Sequence, residues 1–194
     1  MSIVSNILDI PDVRALCHRM TVEQYRRAAE EGLIEEKTEL IRGVVLDKMS
    51  KSPLHGWLLQ FLAKWLHGAI ESGWTVRLDQ PLTLKDSEPE PDVSVVVGSD
   101  DDYRTQHPST ASLVIEIAIS SEKLDRENAA IYAEADVDEY WIVLAEQQCV
   151  EVCRRPIAGR YQDVTLLKSG ESLKPLAFPS LEMPVMQLFP SKTK

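Results

Sequence analysis

The sequence has no uninterrupted apolar run near the roughly 18 residues that a membrane-spanning helix needs. Its first residues, Met1 to Ile7, lack the basic start and long apolar stretch of a signal peptide. Cysteine is scarce, and three among 194 residues is a low, odd number that argues against a disulfide scaffold. These absences favour a cytoplasmic protein that makes no use of a membrane.

Two of the cysteines, Cys149 and Cys153, lie four residues apart in a predicted strand, so their side chains point to the same face. No further Cys or His stands beside them to complete a tetrahedral metal site. We interpret them as packing residues, with a metal pair as the alternative.

Positive charge is also in short supply. The chain has 21 Lys and Arg against 31 Asp and Glu, which gives a formal net charge of -10. Contacts to a phosphate backbone depend on Lys and Arg, so this balance argues against nucleic-acid binding. A carboxylate-rich metal site would add negative charge that cations offset, so the balance does not exclude it. The available basic residues are scattered: Lys48, Lys51, Lys64, Arg77, Arg104, Lys123 and Arg126. Lys48 and Lys51 border the start of a predicted helix and could flank a cleft, with a solvated surface as the alternative.

Apolar residues make up 44% of the chain, enough for a sizeable core. The length fits one domain over residues 1–194, with 1–19 as a short N-terminal extension. The clearest element is a helix from about Pro53 to Ile70, which Ser52 caps and Gly73 follows. Its apolar residues recur at helical spacing and predict a stripe that packs on a sheet, led by Trp57, Phe61 and Trp65.

Further segments predict two more helices, one before the strands and one between two of them. The helices cover about 21–31 and 125–135, and a hairpin turns at Arg42-Gly43. The strands cover about 74–84, 93–97, 113–119, 140–144 and 148–154, with a weak one near 161–167. This order predicts an α/β (α+β) sandwich, in which helices flank a central mixed sheet.

Two acidic residues stand out by their surroundings. Asp92 follows Pro91 at the mouth of an apolar strand, and Glu116 interrupts the apolar run from Leu113 to Ile119. A carboxylate inside a buried strand must be paired, hydrogen-bonded or metal-bound, because its desolvation is costly. If the two strands are neighbours, the side chains converge and could bind Mg²⁺ or Mn²⁺. Taken alone, each could instead be a turn residue or a solvent-facing strand residue.

The order Pro91-Asp92, strand, Glu116 resembles the PD-(D/E)XK nucleases. Five segments more specifically resemble the Uma2 (DUF820) family, at 20–25, 38–43, 52–55, 88–93 and 137–143. The resemblance implies a restriction-endonuclease-like fold and a Mg²⁺- or Mn²⁺-dependent endonuclease that cleaves DNA. It also implies that Glu39 and His55 line the cleft, with Gln80 as a weaker candidate. Glu39 could instead be a hairpin carboxylate paired with a cation, and His55 a local hydrogen-bonding residue at its helix start.

The sequence departs from the nuclease pattern at its lysine. The position after Glu116-x is Ala118, and the helix that follows, where Uma2 proteins are expected to carry the lysine, has Asn128 and Ala129. Lys123, in the loop predicted after the Glu116 strand, is the first substitute, and Arg126 the second. A solvated surface lysine is the competing interpretation of Lys123.

The leading hypothesis is therefore a Mg²⁺-dependent DNA endonuclease in which Asp92 and Glu116 bind metal, Glu39 assists and Lys123 supplies positive charge. A catalytically inert binding or regulatory protein is the main alternative. Hydrolysis of a small phosphoester is a third, and a homodimer is compatible with the resemblance.

Overall fold

A six-stranded sheet forms the centre of the structure, a computed structural model that describes residues 7–35, 37–70 and 72–189. Its strands are β3 (Trp74–Leu78), β4 (Val93–Val97), β5 (Leu113–Ala118), β6 (Glu139–Leu144), β7 (Cys149–Ile157) and β8 (Arg160–Leu167), in that spatial order. Neighbouring strands are antiparallel except β5 and β6, which are parallel. The predicted mixed sheet is thus confirmed.

One long helix covers each face of this sheet. Helix α3 (Pro53–His67) lies over one face in a core with Leu113, Ile115 and Trp141. Helix α4 (Glu122–Glu134) lies over the other, where Ile131 and Tyr132 pack with Val114 and Tyr140. β5 and β6 are buried on both sides, because the alternating residues of each strand enter the two cores in turn. The α/β sandwich predicted from the sequence is therefore present.

Helix α3 buries a somewhat different stripe from the predicted one. Leu58, Leu62 and Leu66 are fully buried, with Phe61 and Trp65 partly buried beside them. Trp57 is 43% exposed and stacks on Phe61 instead of the sheet, so its predicted place in the core is wrong. The helix also ends at His67, one turn before the predicted end at Ile70.

Leu62→Ala is expected to lower the free energy of unfolding by about 2–5 kcal/mol, because it opens a cavity in the most buried turn of α3. Urea unfolding monitored by circular dichroism measures this loss. Trp57→Ala, on the exposed side of the same helix, should cost clearly less. An equal loss in both variants would contradict the assignment of the buried face.

The N-terminal part packs a helix and a hairpin beside this core. Helices α1 (Pro11–Ala15) and α2 (Val22–Glu30) precede strands β1 (Thr38–Ile41) and β2 (Val44–Asp47). Thr21 caps α2 in a reciprocal capping box with Gln24, as its position predicts. Arg42 and Gly43 both have positive φ, 52° and 73°, which suits a two-residue hairpin turn.

Strand β3 is shorter than predicted, because it ends at Leu78 and not near Leu84. Asp79 adopts a positive φ of 51°, and Pro81 cannot donate to a strand ladder, so neither continues the sheet. The chain instead runs irregularly to Asp92, touching the hairpin where Glu88 N donates to Leu40 O at 2.7 Å. This path brings the hairpin alongside the start of β4.

The remaining predicted features fall in regular structure. β8 is a full eight-residue strand where only a weak one was predicted. Cys149 and Cys153 are both buried in the core on the α4 side, in agreement with their interpretation as packing residues. Short strands β9 (Ser172–Leu173) and β10 (Met183–Pro184) close the α3 side. Among the described residues, no helix has the length and apolarity to cross a membrane.

Candidate active site

Asp92 and Glu116 lie together at one end of the β4–β5 pair. Asp92 directly precedes β4 and Glu116 is the fourth residue of β5, and the antiparallel register pairs Val93 with Ile115. The backbone N–H of Asp92 donates to Glu116 Oε2 at 3.2 Å. The convergence expected from neighbouring strands is therefore found in the structure.

The two carboxylates open onto a cavity of about 210 Å³. Three surrounding elements supply its other walls: hairpin β1–β2, the start of α3 and the start of α4. Glu39 comes from β1, His55 from the first turn of α3, and Asp125 and Asn128 from α4. Two residues that the resemblance implied, Glu39 and His55, thus line the same cavity as Asp92 and Glu116.

The carboxylate of Asp92 has donors on both oxygens. Oδ2 accepts from the backbone N–H of Ile117 at 2.8 Å and from His55 Nε2 at 3.0 Å, while Oδ1 accepts from Lys51 Nζ at 3.0 Å. Burial raises the pKa of Asp92, but the hydrogen bond and charge of His55, together with the Lys51 charge, outweigh it and leave a lowered pKa. Asp92 is therefore ionised at neutral pH.

His55 is positioned by both of its neighbours. Its backbone N–H donates to the cap oxygen of Ser52 at 3.2 Å, and its Nε2 donates to Asp92. Its second ring nitrogen, Nδ1, is buried without a hydrogen-bond partner in the described part of the chain. This geometry makes His55 an orienting group for the Asp92 carboxylate.

The pKa of Glu116 is shifted in the opposite direction to that of Asp92. Tyr132 Oη donates to Oε1 at 2.9 Å, so both oxygens of Glu116 accept a hydrogen bond. Burial, followed by repulsion from Asp92 and Asp125, raises the pKa of Glu116 well above its usual value. A cation in the cavity would relieve this repulsion.

Glu39 stands at the hairpin edge of the cavity. Its Oε2 accepts a long hydrogen bond of 3.4 Å from the backbone N–H of Glu90. Burial raises the pKa of Glu39, and the charges of Glu90 and Asp92 add to the effect. Lys48 does not neutralise it directly, because its ammonium pairs with the Glu90 carboxylate.

Asp125 is a site-lining carboxylate that the sequence did not single out as functional. It is buried in the first turn of α4, where Ser121 Oγ donates to its Oδ2 at 2.6 Å. Burial first, and then the charges of Asp92 and Glu39, raise its pKa to about 6. Its place in the first turn of a helix, four residues after a serine, was the available sequence signal.

Because of this raised pKa, the ionised Asp125 carboxylate is expected to lower the stability of the folded protein in a pH-dependent way. The folded state holds the proton more tightly than the unfolded chain, so this loss of stability is small near pH 4, grows as pH rises through about 6, and is nearly complete at pH 7. In metal-free buffer, Asp125→Asn should therefore gain stability over wild type as pH rises from 4 to 7, by on the order of 3 kcal/mol. Urea unfolding at both pH values measures the gap, and a pH-independent gap would contradict the shift.

Three candidate residues lie away from this cavity. Lys123 is the second residue of α4 and is exposed, so its predicted position in a loop is wrong and its side chain does not line the cavity. Arg126 forms ion pairs with Glu122 and with Glu151, the latter at 3.0 Å. Gln80 is exposed and also lies outside the lining.

Lys51 is the cation that contacts Asp92 in this site. The sequence indicated it only as one of two lysines that border the start of α3 and could flank a cleft. Its Nζ contacts the carboxylates of both Asp79 and Asp92. Burial lowers the pKa of Lys51, but its hydrogen bond to Asp79 and the charge of Asp92 leave it raised. Asn128 occupies the wall of the cavity where the resemblance implied a lysine, and Ala118 is buried in the α4-side core.

The donor set fits a hard divalent cation. Carboxylate oxygens of Asp92 and Glu116 meet in one cavity, three of its carboxyl groups (Glu39, Glu116 and Asp125) have raised pKa values, and none of the described lining residues is a cysteine. Over the ranges 7–35, 37–70 and 72–189, no three His, Cys, Asp or Glu side chains are already grouped as metal ligands. Mg²⁺ usually keeps several of its water ligands, so a site with two protein ligands suits it better than a site in which protein atoms fill every position.

A family profile, described as "Putative restriction endonuclease", matches residues 22–186. The chain belongs to the Uma2 family. A crystal structure of a DUF820 protein from Anabaena variabilis, described as a "putative nuclease", superposes with a TM-score of 0.73. The match covers 88% of this chain and 97% of the other at 17% identity, which supports a shared restriction-endonuclease-like fold. No curated protein matched this Uma2 chain.

Proposed function

We propose that this Uma2 protein is a metal-dependent endonuclease that hydrolyses phosphodiester bonds of DNA. The observation that carries the proposal is that the Asp92 and Glu116 carboxylates share one cavity, with the backbone N–H of Asp92 donating to Glu116 and Lys51 Nζ donating to Asp92 Oδ1. A buried carboxylate pair is costly unless a cation or a proton compensates it. A site that retains this arrangement is suited to cation-assisted phosphoryl chemistry.

Asp92 and Glu116 would hold Mg²⁺ or Mn²⁺. When bound, such an ion makes water a better nucleophile and neutralises charge on the phosphodiester. His55 and the backbone N–H of Ile117 fix the orientation of Asp92, while Tyr132 fixes that of Glu116. Rigid partners of this kind keep ligand oxygens in place without further reorganisation.

Lys51 takes the role of the missing nuclease lysine. Its Nζ lies 3.0 Å from Asp92 Oδ1, at the mouth of the cavity, on a side chain that is 35% exposed. From there its ammonium can reach a phosphate oxygen placed at Asp92 and stabilise the charge that develops in the transition state. Glu39, with its raised pKa, is placed to accept a proton from the attacking water.

The substrate phosphate would enter beside one segment that carries two lysines. Lys48 and Lys51 lie on the connection from β2 to α3, which forms the outer wall of the cavity. Both ammonium groups are shared with carboxylates, so the local field is weaker than two free lysines would give. Few phosphate contacts are available, so DNA should bind weakly and its affinity should fall only gently as salt is raised.

The proposal is tested by incubating the full chain with supercoiled plasmid in Mg²⁺ or Mn²⁺ and in EDTA. Nicking that requires the metal supports it. Absence of cleavage with both metals, on single- and double-stranded DNA, would overturn it. The inert alternative would then hold, and it already draws on two observations: Asn128 in the cavity wall, and a Lys51 that two carboxylates engage.

A further inference from the structure

A second cavity, of about 670 Å³, lies at the opposite end of strands β4 and β5. Val97, the last residue of β4, and Ser112, directly before β5, are in its wall. A strand rises about 3.3 Å per residue, so this end of β4 is roughly 17 Å from Asp92. The two cavities have no lining residue in common.

Arg77, on β3 behind this cavity, is a buried cation without a partner anion. It is only 9% exposed, and none of the described residues places a carboxylate within ion-pairing distance of its guanidinium. Its polar contacts are His107 Nδ1, at 3.2 Å from Nη2, and the face of the Tyr103 ring, with 5.3 Å to the centroid. An unpaired buried charge is destabilising, so its presence calls for a function.

Two buried polar atoms on neighbouring strands support the same conclusion. Arg77 Nε has no hydrogen-bond partner in the described part of the chain, and neither has Ser94 Oγ. Arg77 and Ser94 are directly opposed in the β3–β4 register, so they share one face of the sheet. Polar groups at this site are thus left unsatisfied by the protein itself.

The contact with Arg77 also determines which ring nitrogen of His107 carries the proton. Arginine can only donate, so Nδ1 of His107 must accept and the proton of the neutral ring resides on Nε2. Burial, with the Arg77 and Arg26 charges, lowers the pKa of His107 and keeps the ring neutral. Its Nε2–H has no partner in the ranges that the structure describes, and the residue lines the cavity.

We propose that this second cavity binds a small ligand with one phosphate or carboxylate group. His107 Nε2–H would donate to that group and the Arg77 charge behind the ring would attract it, whereas Arg26 at the rim is already paired with Glu88 at 2.9 Å. Asp136 and Asp138 also line the cavity, which favours a ligand whose other part is neutral and carries hydrogen-bond donors over a polyanion. The volume suits a molecule of nucleotide size.

Titration calorimetry and thermal unfolding of the full chain test this site with four probes. Adenosine monophosphate carries a phosphate, gluconate a carboxylate with neutral hydroxyls, adenosine no charge, and adenosine triphosphate several charges. At least one of the two probes with a single anionic group should bind and raise Tm by about 5–10 °C at a hundred times its Kd. Adenosine should not bind, and the triphosphate should bind more weakly than the monophosphate.

Arg77→Met should weaken that binding at least about tenfold. Without ligand, the variant should be as stable as wild type or more so, because methionine removes an unpaired buried charge. His107→Ala should weaken binding to a similar degree, and it decides the question if Arg77→Met does not fold. Arg104→Met, on an exposed neighbouring arginine, and Asp92→Ala, in the other cavity, should leave binding unchanged.

Failure of both anionic probes to bind would overturn the proposal, as would binding that survives both Arg77→Met and His107→Ala. Binding that is lost in Asp92→Ala would also overturn it, because the ligand would then occupy the first cavity. None of these outcomes depends on cleavage of DNA, so the second site is tested independently of the nuclease proposal.

Discussion

Asp92→Asn is expected to lower metal-dependent plasmid cleavage at least about a thousandfold, which corresponds to roughly 4 kcal/mol of activation barrier. Asparagine keeps the size of the side chain and an oxygen that can still accept from the backbone N–H of Ile117. It removes the negative charge that holds Lys51 and that a divalent cation would require. Single-turnover nicking of supercoiled plasmid, with protein in excess over DNA, measures the change.

Asp79→Asn is the matched control, because Asp79 is the other carboxylate on Lys51 and is exposed outside the cavity lining. Its cleavage rate should stay within about threefold of wild type, a change of less than 1 kcal/mol in barrier. Thermal unfolding shows whether both variants fold. A folded Asp92→Asn variant that cleaves at the wild-type rate would remove Asp92 from the mechanism.

The positions of Asp92 and Glu116 could be predicted because they depend on local sequence. Each interrupts or opens an apolar strand, and strand neighbours in the chain are commonly neighbours in the sheet. Once β4 and β5 pair, the Val93–Ile115 register places both carboxylates at one end. The mixed sheet and its two covering helices followed from hydrophobic periodicity in the same way.

Lys51 could not be selected in this way, because its role depends on two distant contacts. It reaches Asp79 and Asp92, which lie 28 and 41 residues further along the chain. Asp79 can pair with Lys51 only because its positive φ turns the chain out of the sheet after Leu78. Backbone turns of this kind leave a weak sequence signal in a non-glycine residue.

Lys123 was favoured for the opposite reason: its distance from Glu116 along the chain is short. The structure begins α4 at Glu122, and the helix directs Lys123 outward while Asp125 and Asn128 face the cavity. Residues three apart share a helix face, so Asp125 and Asn128 lie together and Lys123 does not. The sequence predicts the helix start at about Asp125, three residues too late, and so does not show that Lys123 faces away from the cavity.

Lys51→Met is expected to lower the cleavage rate at least about a hundredfold, roughly 2.7 kcal/mol of barrier, because the ammonium beside Asp92 is lost. Methionine keeps an unbranched side chain without the charge. Lys123→Met, on the exposed face of α4, should cleave within about threefold of wild type. Both rates come from single-turnover nicking at saturating Mg²⁺, with Mn²⁺ as a second metal.

Comparison of the Lys51→Met and Lys123→Met variants distinguishes three outcomes. A large loss confined to Lys51→Met supports the assigned cation. The reverse result would return the role to Lys123, and would require the start of α4 to rearrange when DNA binds. Equal, small effects in both variants would mean that neither lysine stabilises the transition state, which leaves Arg126 as the next residue to replace. Arg126 would first have to leave its ion pairs with Glu122 and Glu151, so Arg126→Met would then have to lower the rate while Glu151→Gln raised or preserved it.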